Sequence, residues 1–110
     1  MLPTWPLLTV RVHDTSMQPE LWPGDRLLVL RILRSRVGDI VLVRDPEYKR
    51  RLLVKRVAAR TQGGEYVLSA DNPNVGRDSR HFGPVPRALI VGRVVWRYHP
   101  GQATPHARLH

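Results

Sequence analysis

Apolar runs of strand length recur along this chain, and they constrain its fold more than any other feature. Six of them, rich in Val, Leu and Ile, span residues 7–13, 26–32, 39–44, 52–59, 65–70 and 88–98. Turn residues such as Gly, Pro, Asp and Asn separate them, and no segment has the spacing of an amphipathic helix. The sequence therefore predicts a mainly β fold with little helix.

Chain length and composition limit both the architecture and the chemistry. A chain of 110 residues suits one small domain, which we place at residues 1–100, followed by a disordered tail at 101–110. The absence of cysteine excludes thiol nucleophiles, disulfides and Cys-based zinc sites. No apolar run approaches the roughly 20 residues that cross a bilayer, so we expect a cytoplasmic protein without a transmembrane segment. Membrane association is the alternative if the natural chain carries an anchor before residue 1.

The net charge of +9 would suit an anionic partner. However, the 16 arginines are spread over nearly every segment, and the only lysines are Lys49 and Lys55. Such a spread is not a binding stripe, so we expect no nucleic-acid partner. A peripheral contact with a membrane is left open, with Trp5, Trp22 and Trp96 as candidates, although we expect at least two of these to be buried.

A lysine inside an apolar strand needs a reason in a chain that uses lysine so rarely. Strand alternation places Leu53, Lys55 and Val57 on one face and Leu52, Val54, Arg56 and Ala58 on the other. Because both faces are apolar, one of the two cations should be partly buried. A desolvated lysine can lose its proton and act as a general base, whereas an arginine cannot. The alternative is that Lys55 reaches solvent from the strand.

A nucleophilic serine needs a base, either a histidine or a neutral lysine. The four serines are Ser16, Ser35, Ser69 and Ser79. His13 and Asp14 lie close to Ser16, but residues three apart at a strand end point in divergent directions, which argues against a Ser-His-Asp triad. His81 is another candidate base, and the histidine spacings match no metal motif, so we expect no metal.

A third group of polar residues lies between Ser69 and Pro86, a stretch called here the 69–86 segment. A loop of this length in a small domain is either functional or disordered. Asp71, Asp78 and Arg80 could pair there, and such a network would hold the loop against the sheet.

Five stretches in order resemble the signal peptidase I family (S26) of Ser/Lys serine peptidases, over roughly residues 10 to 98. They are "SMQPELWPGDRLLV", "GDIVLVR", "LLVKRVAA", "ADNPNVGRDSRHFGPVP" and "ALIVGRVVWRYHP". The family pattern S-M-x-P…G-D matches Ser16, Met17, Pro19, Gly24 and Asp25; K-R-V matches Lys55, Arg56 and Val57; D-N…D-S-R…G-x-V-P matches Asp71, Asn72, Asp78, Ser79, Arg80, Gly83, Val85 and Pro86. The resemblance implies a signal peptidase/LexA-like complex β fold.

The resemblance also implies a mechanism and a set of roles. Ser16 Oγ would attack the scissile carbonyl, and neutral Lys55 would take its proton and pass it to the leaving amine. Met17 would pack beneath the loop, with Pro19 and Asp14 also supporting it, and the Ser16 N–H would help form the oxyanion hole. Asp71, Asn72, Asp78, Ser79 and Arg80 would form a structural network near the site. The substrate would bind as an added strand, without a metal or an organic cofactor.

Three positions depart from the family pattern. Many bacterial members have a second serine that bonds the lysine, but the matching position is Gly76, so the orienting bond must come from elsewhere, and Ser79 does not take that role automatically. Asp14 replaces the usual Gly or Ser, and because a carboxylate would repel an oxyanion, we expect Asp14 to turn away or the enzyme to be slow. Glu20 replaces the usual Thr.

A minimal chain of this kind resembles the proteases that mature nickel-containing superoxide dismutase. The predicted function is therefore removal of an N-terminal leader peptide from that precursor, with activity rising as Lys55 loses its proton. Alternatives are a trimmed or anchorless signal peptidase acting on secretory preproteins, a non-catalytic basic β module, and an esterase that uses His81. The self-cleaving repressors share the chemistry but need a cleavage segment and a DNA-binding domain.

Overall fold

A computed structural model describes residues 6–31 and 34–99 of the chain. The elements are β1 (Leu7–Arg11), β2 (Arg26–Leu30), β3 (Ile40–Arg44), β4 (Leu52–Arg60), β5 (Tyr66–Ser69), α1 (Ser79–Phe82), a 3-10 turn (Arg87–Leu89) and β6 (Ile90–Tyr98). Each predicted apolar run contains one strand, so the prediction of a mainly β fold with little helix is confirmed. The predicted tail at 101–110 lies outside the described residues.

All strand pairs are antiparallel, in the order β1-β2-β6-β3-β4-β5. The register shifts in the pairs β2–β6, β3–β6 and β4–β5. Irregularities of this kind bend a strand and increase its twist. The sheet consequently curls, and β1 and β4 line one groove although three strands separate them in the sheet.

The curled sheet encloses two hydrophobic clusters that share β3. The first contains Val12, Met17, Leu21, Leu27, Val29, Ile40, Leu42 and Val94, and the second contains Val41, Val43, Leu53, Val57, Tyr66, Leu68 and Val85. Successive residues of β3 alternate between the clusters because strand side chains point to opposite faces. This explains why four consecutive residues of β3 are buried. The loop after β1 is anchored in the first cluster, whereas β4 is anchored in the second.

The tryptophans do not follow the expectation that at least two of them are buried. Trp22 is 47% exposed and Trp96 is 48% exposed, and Trp5 lies outside the described residues. Trp96 stacks on Tyr98, two residues further along the same strand. The expectation is therefore wrong for both described rings. Trp22 lies in the loop before β2, and Trp96 lies on the solvent-exposed face of β6. In the described ranges, no helix is long and apolar enough to span a bilayer.

Candidate active site

The loop between β1 and β2, called here the serine loop, places Ser16 inside the protein. Its turns are closed by backbone hydrogen bonds from Gln18 N–H to the Thr15 carbonyl and from Leu21 N–H to the Met17 carbonyl. Met17 and Leu21 are buried in the first cluster, as expected for a methionine that packs beneath the loop. Ser16 is only 2% exposed, so its hydroxyl is held by its surroundings rather than by water.

Lys55 lies in the middle of β4 and is 1% exposed. Its face of the strand, with Leu53 and Val57, is the buried one, while Arg56 on the opposite face is partly exposed. Strand alternation therefore identified the two faces, and the alternative that Lys55 reaches solvent is wrong. The reason is that Leu53 and Val57, the neighbours of Lys55 on this face, both belong to the second hydrophobic cluster.

The two buried side chains meet. Lys55 Nζ donates a hydrogen bond to Ser16 Oγ across 3.0 Å, joining positions 39 apart in sequence. Burial lowers the pKa of Lys55 below its usual value, because a buried ammonium has lost its hydration, while nearby Asp14 and Asp78 oppose the shift. Direct contact with a serine and a lowered pKa are the two properties that a lysine base needs.

Gly76 packs against this pair. A Cβ at Gly76 would lie 2.6 Å from Ser16 Cβ and 3.0 Å from Lys55 Nζ. Its φ of +86° is also a conformation that favours glycine. The position at which the resemblance led us to look for a lysine-bonding serine is thus filled by backbone, and Lys55 Nζ is oriented by its bond to Ser16 and its contact with Gly76.

Asn72 ties the 69–86 segment to the serine loop. Its backbone N–H donates to the Ser16 carbonyl at 2.8 Å, and its Nδ2 donates to the Thr15 carbonyl at 3.2 Å. Asp71, beside it, accepts a two-pronged hydrogen bond from Arg56 at 2.8 and 2.7 Å. The expectation that Asp71 pairs within the segment was therefore wrong, since Arg56 reaches it from the outer face of β4.

The other half of the segment is organised by Asp78, which is buried. Its carboxylate accepts from the backbone N–H groups of Ala70 and Arg80 and from Arg80 Nε, at 2.9 to 3.0 Å. Burial alone would raise the pKa of Asp78. The hydrogen bonds lower it by more than burial raises it, so the pKa lies below its usual value. Ser79 Oγ accepts from the Leu68 N–H. Asp78, Ser79 and Arg80 thus hold the segment on β5.

The segment also contains a single helical turn that was expected to be loop. His81 lies in α1, where its Nδ1 accepts from the Asp78 N–H at 3.3 Å. This imidazole is about half exposed and serves as part of the helix cap. Within the described ranges the Ser16 hydroxyl bonds to Asp14 and Lys55 and not to His81, so the structure gives no support to His81 as a base.

One anchor was not anticipated from the sequence. Arg77 donates to Asp45 at 3.0 and 3.1 Å, and Asp45 is completely buried at the end of β3. Asp45 also accepts from the backbone N–H groups of Glu47 and Tyr48. Because Arg77 follows Gly76 directly, this ion pair fixes Gly76 against the site. The only sequence signal was a turn at Asp45-Pro46, which does not reveal a distant partner.

Asp14 does not turn away from Ser16, so the first of the two expected alternatives is wrong, and the second, a slow enzyme, stays a prediction. Its Oδ1 accepts hydrogen bonds from the Ser16 N–H at 3.0 Å and from the Ser16 hydroxyl at 2.8 Å. A carboxylate two residues before a serine commonly bonds that backbone N–H, since the intervening turn brings the two together. The N–H that was assigned to the oxyanion hole is therefore occupied.

A groove of about 440 Å³ runs from β1 to the serine loop and is called here the β1–β4 groove. It is lined by Thr9, Val10, Arg11, Val12, His13, Asp14, Met17, Leu42, Arg50, Leu52, Leu53 and Val54. Asp14 and Met17 flank Ser16 in sequence, so the groove reaches the serine loop. β1 forms one edge of the sheet, and the first half of β4 pairs only with β3 among the described strands.

The described residues form a small, mainly antiparallel β domain with a groove that reaches the serine loop. Residues 4–95 match the Peptidase S24-like family, and the chain belongs to that family. It is 33% identical to the mitochondrial ATP-independent inner membrane protease subunits 1b and 1a of Arabidopsis thaliana, over 82% and 84% of this chain and 69% and 70% of theirs. It is 30% identical to the mitochondrial inner membrane protease subunit 1 of Schizosaccharomyces pombe, over 77% of this chain and 69% of that protein.

These matches confirm the predicted peptidase family and fold class at the level of the wider superfamily. They do not bear on a preference for the nickel superoxide dismutase precursor, which stays a prediction.

Proposed function

We propose that this chain is a serine endopeptidase in which Ser16 is the nucleophile and Lys55 is the general base and acid. The observation that carries the proposal is the 3.0 Å hydrogen bond between Lys55 Nζ and Ser16 Oγ, with both side chains buried. A structural lysine rarely occupies an apolar interior, because an unpaired buried ammonium is costly. Proton transfer to and from the serine is a function that accounts for a lysine in this apolar interior despite the desolvation cost.

The proposed reaction has two halves. In the first, Ser16 Oγ forms a bond to the scissile carbonyl carbon as its proton passes to Lys55 Nζ; the C–N bond then breaks, and Lys55 returns that proton to the leaving amine. In the second, water attacks the ester carbonyl and gives a proton to Lys55, the C–Oγ bond breaks, and Ser16 recovers the proton. Each half ends with Lys55 neutral, so the cycle balances.

The substrate would bind in the β1–β4 groove as an extended chain. Among the described strands, β1 lies at the edge of the sheet and Leu52–Lys55 of β4 pair on one side only, so both offer backbone donors and acceptors to the groove. Apolar groups of Val10, Val12 and Leu53 line its floor and walls, which suits small apolar side chains near the cleaved bond. A leader peptide in extended form fits these requirements.

The substrate class proposed is the N-terminal leader of a precursor protein. The names of the relatives, protease subunits of an inner membrane, support a processing peptidase. Nickel superoxide dismutase precursor remains the candidate from the sequence, and secretory preproteins are the alternative. A cytoplasmic location is likewise a sequence prediction; the exposed Trp22 and Trp96 would suit peripheral contact with a membrane.

The test is intact-mass spectrometry of two precursors, a nickel superoxide dismutase precursor and a secretory preprotein, each incubated with the protein. Wild type, Ser16→Ala and Lys55→Met are compared with Ser69→Ala, which removes a hydroxyl elsewhere in the fold. We expect one N-terminal cut by wild type and Ser69→Ala and none by the other two variants. The precursor that is cut identifies the substrate class.

Two results would contradict the proposal. Cleavage retained by folded Ser16→Ala would show that Ser16 is not the nucleophile. Cleavage retained by Lys55→Met would show that Lys55 is not the base. If Lys55→Met is active but His81→Ala is not, the esterase-like mechanism through His81 would replace the dyad.

A non-catalytic basic module is the competing hypothesis from charge. The partners of the arginines within the fold argue against it. Many arginines already have acidic or carbonyl partners within the fold: Arg44, Arg56, Arg60, Arg77, Arg80, Arg93 and Arg97. Arginines engaged in this way are less available to a polyanion. Steeply salt-dependent nucleic-acid binding without proteolysis would favour that module instead.

A further inference from the structure

The contacts of Asp14 oppose the chemistry proposed for Ser16. An ionised carboxylate can only accept hydrogen bonds and an ammonium can only donate them. Since Lys55 Nζ donates to Ser16 Oγ and Asp14 Oδ1 lies 2.8 Å away, the serine hydrogen points to Asp14. The hydrogen bonds thus run from lysine to serine to aspartate, whereas proton transfer from the serine requires its hydrogen to point at Lys55.

Asp14 also engages the backbone donor that was expected to bind the oxyanion. The Ser16 N–H donates to the same Oδ1 at 3.0 Å. In serine peptidases the N–H of the nucleophile commonly stabilises the oxygen of the tetrahedral intermediate. One carboxylate oxygen therefore engages the backbone donor and the nucleophile together, so a substrate carbonyl cannot use that donor while Asp14 remains.

We propose that Asp14 is a lock on the Ser16–Lys55 pair, and that the substrate opens it when its scissile carbonyl oxygen displaces Asp14 Oδ1 from the Ser16 N–H. The inference rests on the proposed peptidase function and deepens it. On displacement the serine hydroxyl loses its acceptor and turns to Lys55. The free protein is held inactive, and the groove that binds the leader is the place from which the lock is released.

The position of Asp14 suits such a movement. Ser16 is buried, but Asp14 is exposed and lines the β1–β4 groove, so its carboxylate can swing into water without a desolvation cost. Both hydrogen bonds recorded for its carboxylate in the described residues go to Ser16. The serine itself stays in place because Met17 is buried beneath it and Asn72 N–H holds its carbonyl.

The electrostatics act in the same direction. Burial is the main cause that lowers the pKa of Lys55; Asp14, Asp78 and Asp45 raise it, and Arg80 lowers it. Asp78 and Asp45 are held in their own networks, so Asp14 is the acid in this set that can leave. Departure of Asp14 would favour the neutral lysine at the moment when the base is needed.

The test compares Asp14→Ala and Asp14→Asn with Glu65→Ala, which removes an exposed acid in the turn between β4 and β5. Cleavage of the precursor is measured as kcat/KM across pH. We expect Asp14→Ala to raise kcat/KM about ten-fold, the effect of one charge-assisted hydrogen bond, and to move the acid limb to lower pH. Asp14→Asn keeps an acceptor for the N–H, so it should show the pH shift with a smaller gain in rate. Glu65→Ala should match wild type.

A second readout does not depend on activity. Lysine labelled with ¹³C at Cε gives signals from Lys49 and Lys55 alone, because the chain has no other lysine. The Lys55 signal in Asp14→Ala should titrate at lower pH than in wild type, and the Glu65→Ala variant should not change it. This shift reports the charge of Asp14 at Lys55, and the gain in kcat/KM distinguishes a lock from a carboxylate with a purely structural role in the loop.

The outcomes separate the lock from the peptidase. If Ser16-dependent cleavage occurs in wild type but folded Asp14→Ala is no faster, the lock is wrong and the peptidase stands. If wild type is inactive and Asp14→Ala cleaves, with activity lost in Asp14→Ala/Ser16→Ala, the peptidase and the block by Asp14 are supported, but opening of that block by these precursors is overturned. If no variant cleaves either precursor and the Lys55 titration is unchanged by Asp14→Ala, the lock is overturned together with the function on which it rests.

Discussion

Gly76 and Ser16 are in backbone-to-side-chain contact, so close that a Cβ at Gly76 would lie 2.6 Å from the Cβ of Ser16. Two separate reasons therefore require glycine at this position, the contact itself and the positive φ of +86°. Placing a serine here would not supply a lysine-bonding hydroxyl. It would push the proposed nucleophile away from Lys55.

Gly76→Ala should therefore lower both stability and activity. The strained φ costs about 1–2 kcal/mol, and the overlap with Ser16 adds about 1–3 kcal/mol. Displacement of the serine should reduce kcat by roughly a hundred-fold, because proton transfer depends on the Ser16–Lys55 distance. Thermal unfolding and precursor cleavage measure the two effects.

Gly38→Ala is the matched control for this substitution. Gly38 has a φ of +97°, but a Cβ there meets nothing within 4 Å. It should show the cost of the strained φ with near-normal activity. Equal losses of activity in the two variants would mean that contact with Ser16 does not matter.

Lys55→Met should make the protein more stable while abolishing cleavage. Methionine fills a similar volume without a charge to desolvate, and replacing buried ionic groups by apolar ones can stabilise by about 1–4 kcal/mol. A less stable Lys55→Met variant, with its fold intact, would show that the ammonium is well compensated inside the protein.

The stability gain of Lys55→Met should also depend on pH. Because the pKa of Lys55 in the folded protein lies below its usual value of 10.5, the unfolded chain binds more protons than the folded one between these two pKa values. The stability of wild type should rise with pH in that range, whereas the contribution is absent in Lys55→Met. The difference in unfolding free energy between Lys55→Met and wild type should be largest below the pKa that Lys55 has in the folded protein. It should disappear near pH 10.5. Chemical denaturation at several pH values measures it.

Cleavage by wild type should rise with pH as Lys55 loses its proton. The midpoint should lie below the usual lysine pKa, since burial lowers the pKa of Lys55. A kcat/KM profile that is flat from neutral to alkaline pH would argue against a lysine base.

Asn72→Ala should loosen the serine loop. The side-chain bond to the Thr15 carbonyl and the bond that Asn72 Oδ1 accepts from the Asn74 N–H are lost, while the backbone bond to Ser16 remains. We therefore expect about 1 kcal/mol of destabilisation and roughly a ten-fold fall in kcat. Asn74→Ala is the control, because Asn74 is exposed and donates to Asn72 Oδ1 through its backbone N–H, which the substitution keeps. Normal kcat in Asn72→Ala would mean that the backbone bond alone positions the loop.

The Arg56–Asp71 pair should be energetically coupled. A double-mutant cycle with Arg56→Ala and Asp71→Ala should give a coupling on the order of 1 kcal/mol, because the geometry is two-pronged but both side chains are partly exposed. Arg56→Lys should keep less than half of it, since an ammonium cannot make the paired contact. A coupling near zero would assign the pair no role in holding the 69–86 segment.

Local periodicity was enough to place the strands and to identify the faces of β4. Each of the six apolar runs contains a strand because strand length, β-branched residues and bounding turns are local properties. The same alternation put Lys55 with Leu53 and Val57, and that face is the buried one. The resemblance in the serine loop also named Met17 as packing beneath it, and Met17 is buried.

Only the tertiary structure decided which distant groups meet. Asp71 pairs with Arg56 instead of a residue of its own segment, and Arg77 finds the buried Asp45, because the curled sheet brings their strands and loops together. The approach of Gly76 to Ser16 and the turn of Asp14 onto the Ser16 N–H depend on backbone angles that no residue pattern specifies. The sequence by itself determined the strands and the chemical groups available. Long-range packing and loop conformation determined their partners, since those contacts join residues whose separation in the chain carries no periodic signal.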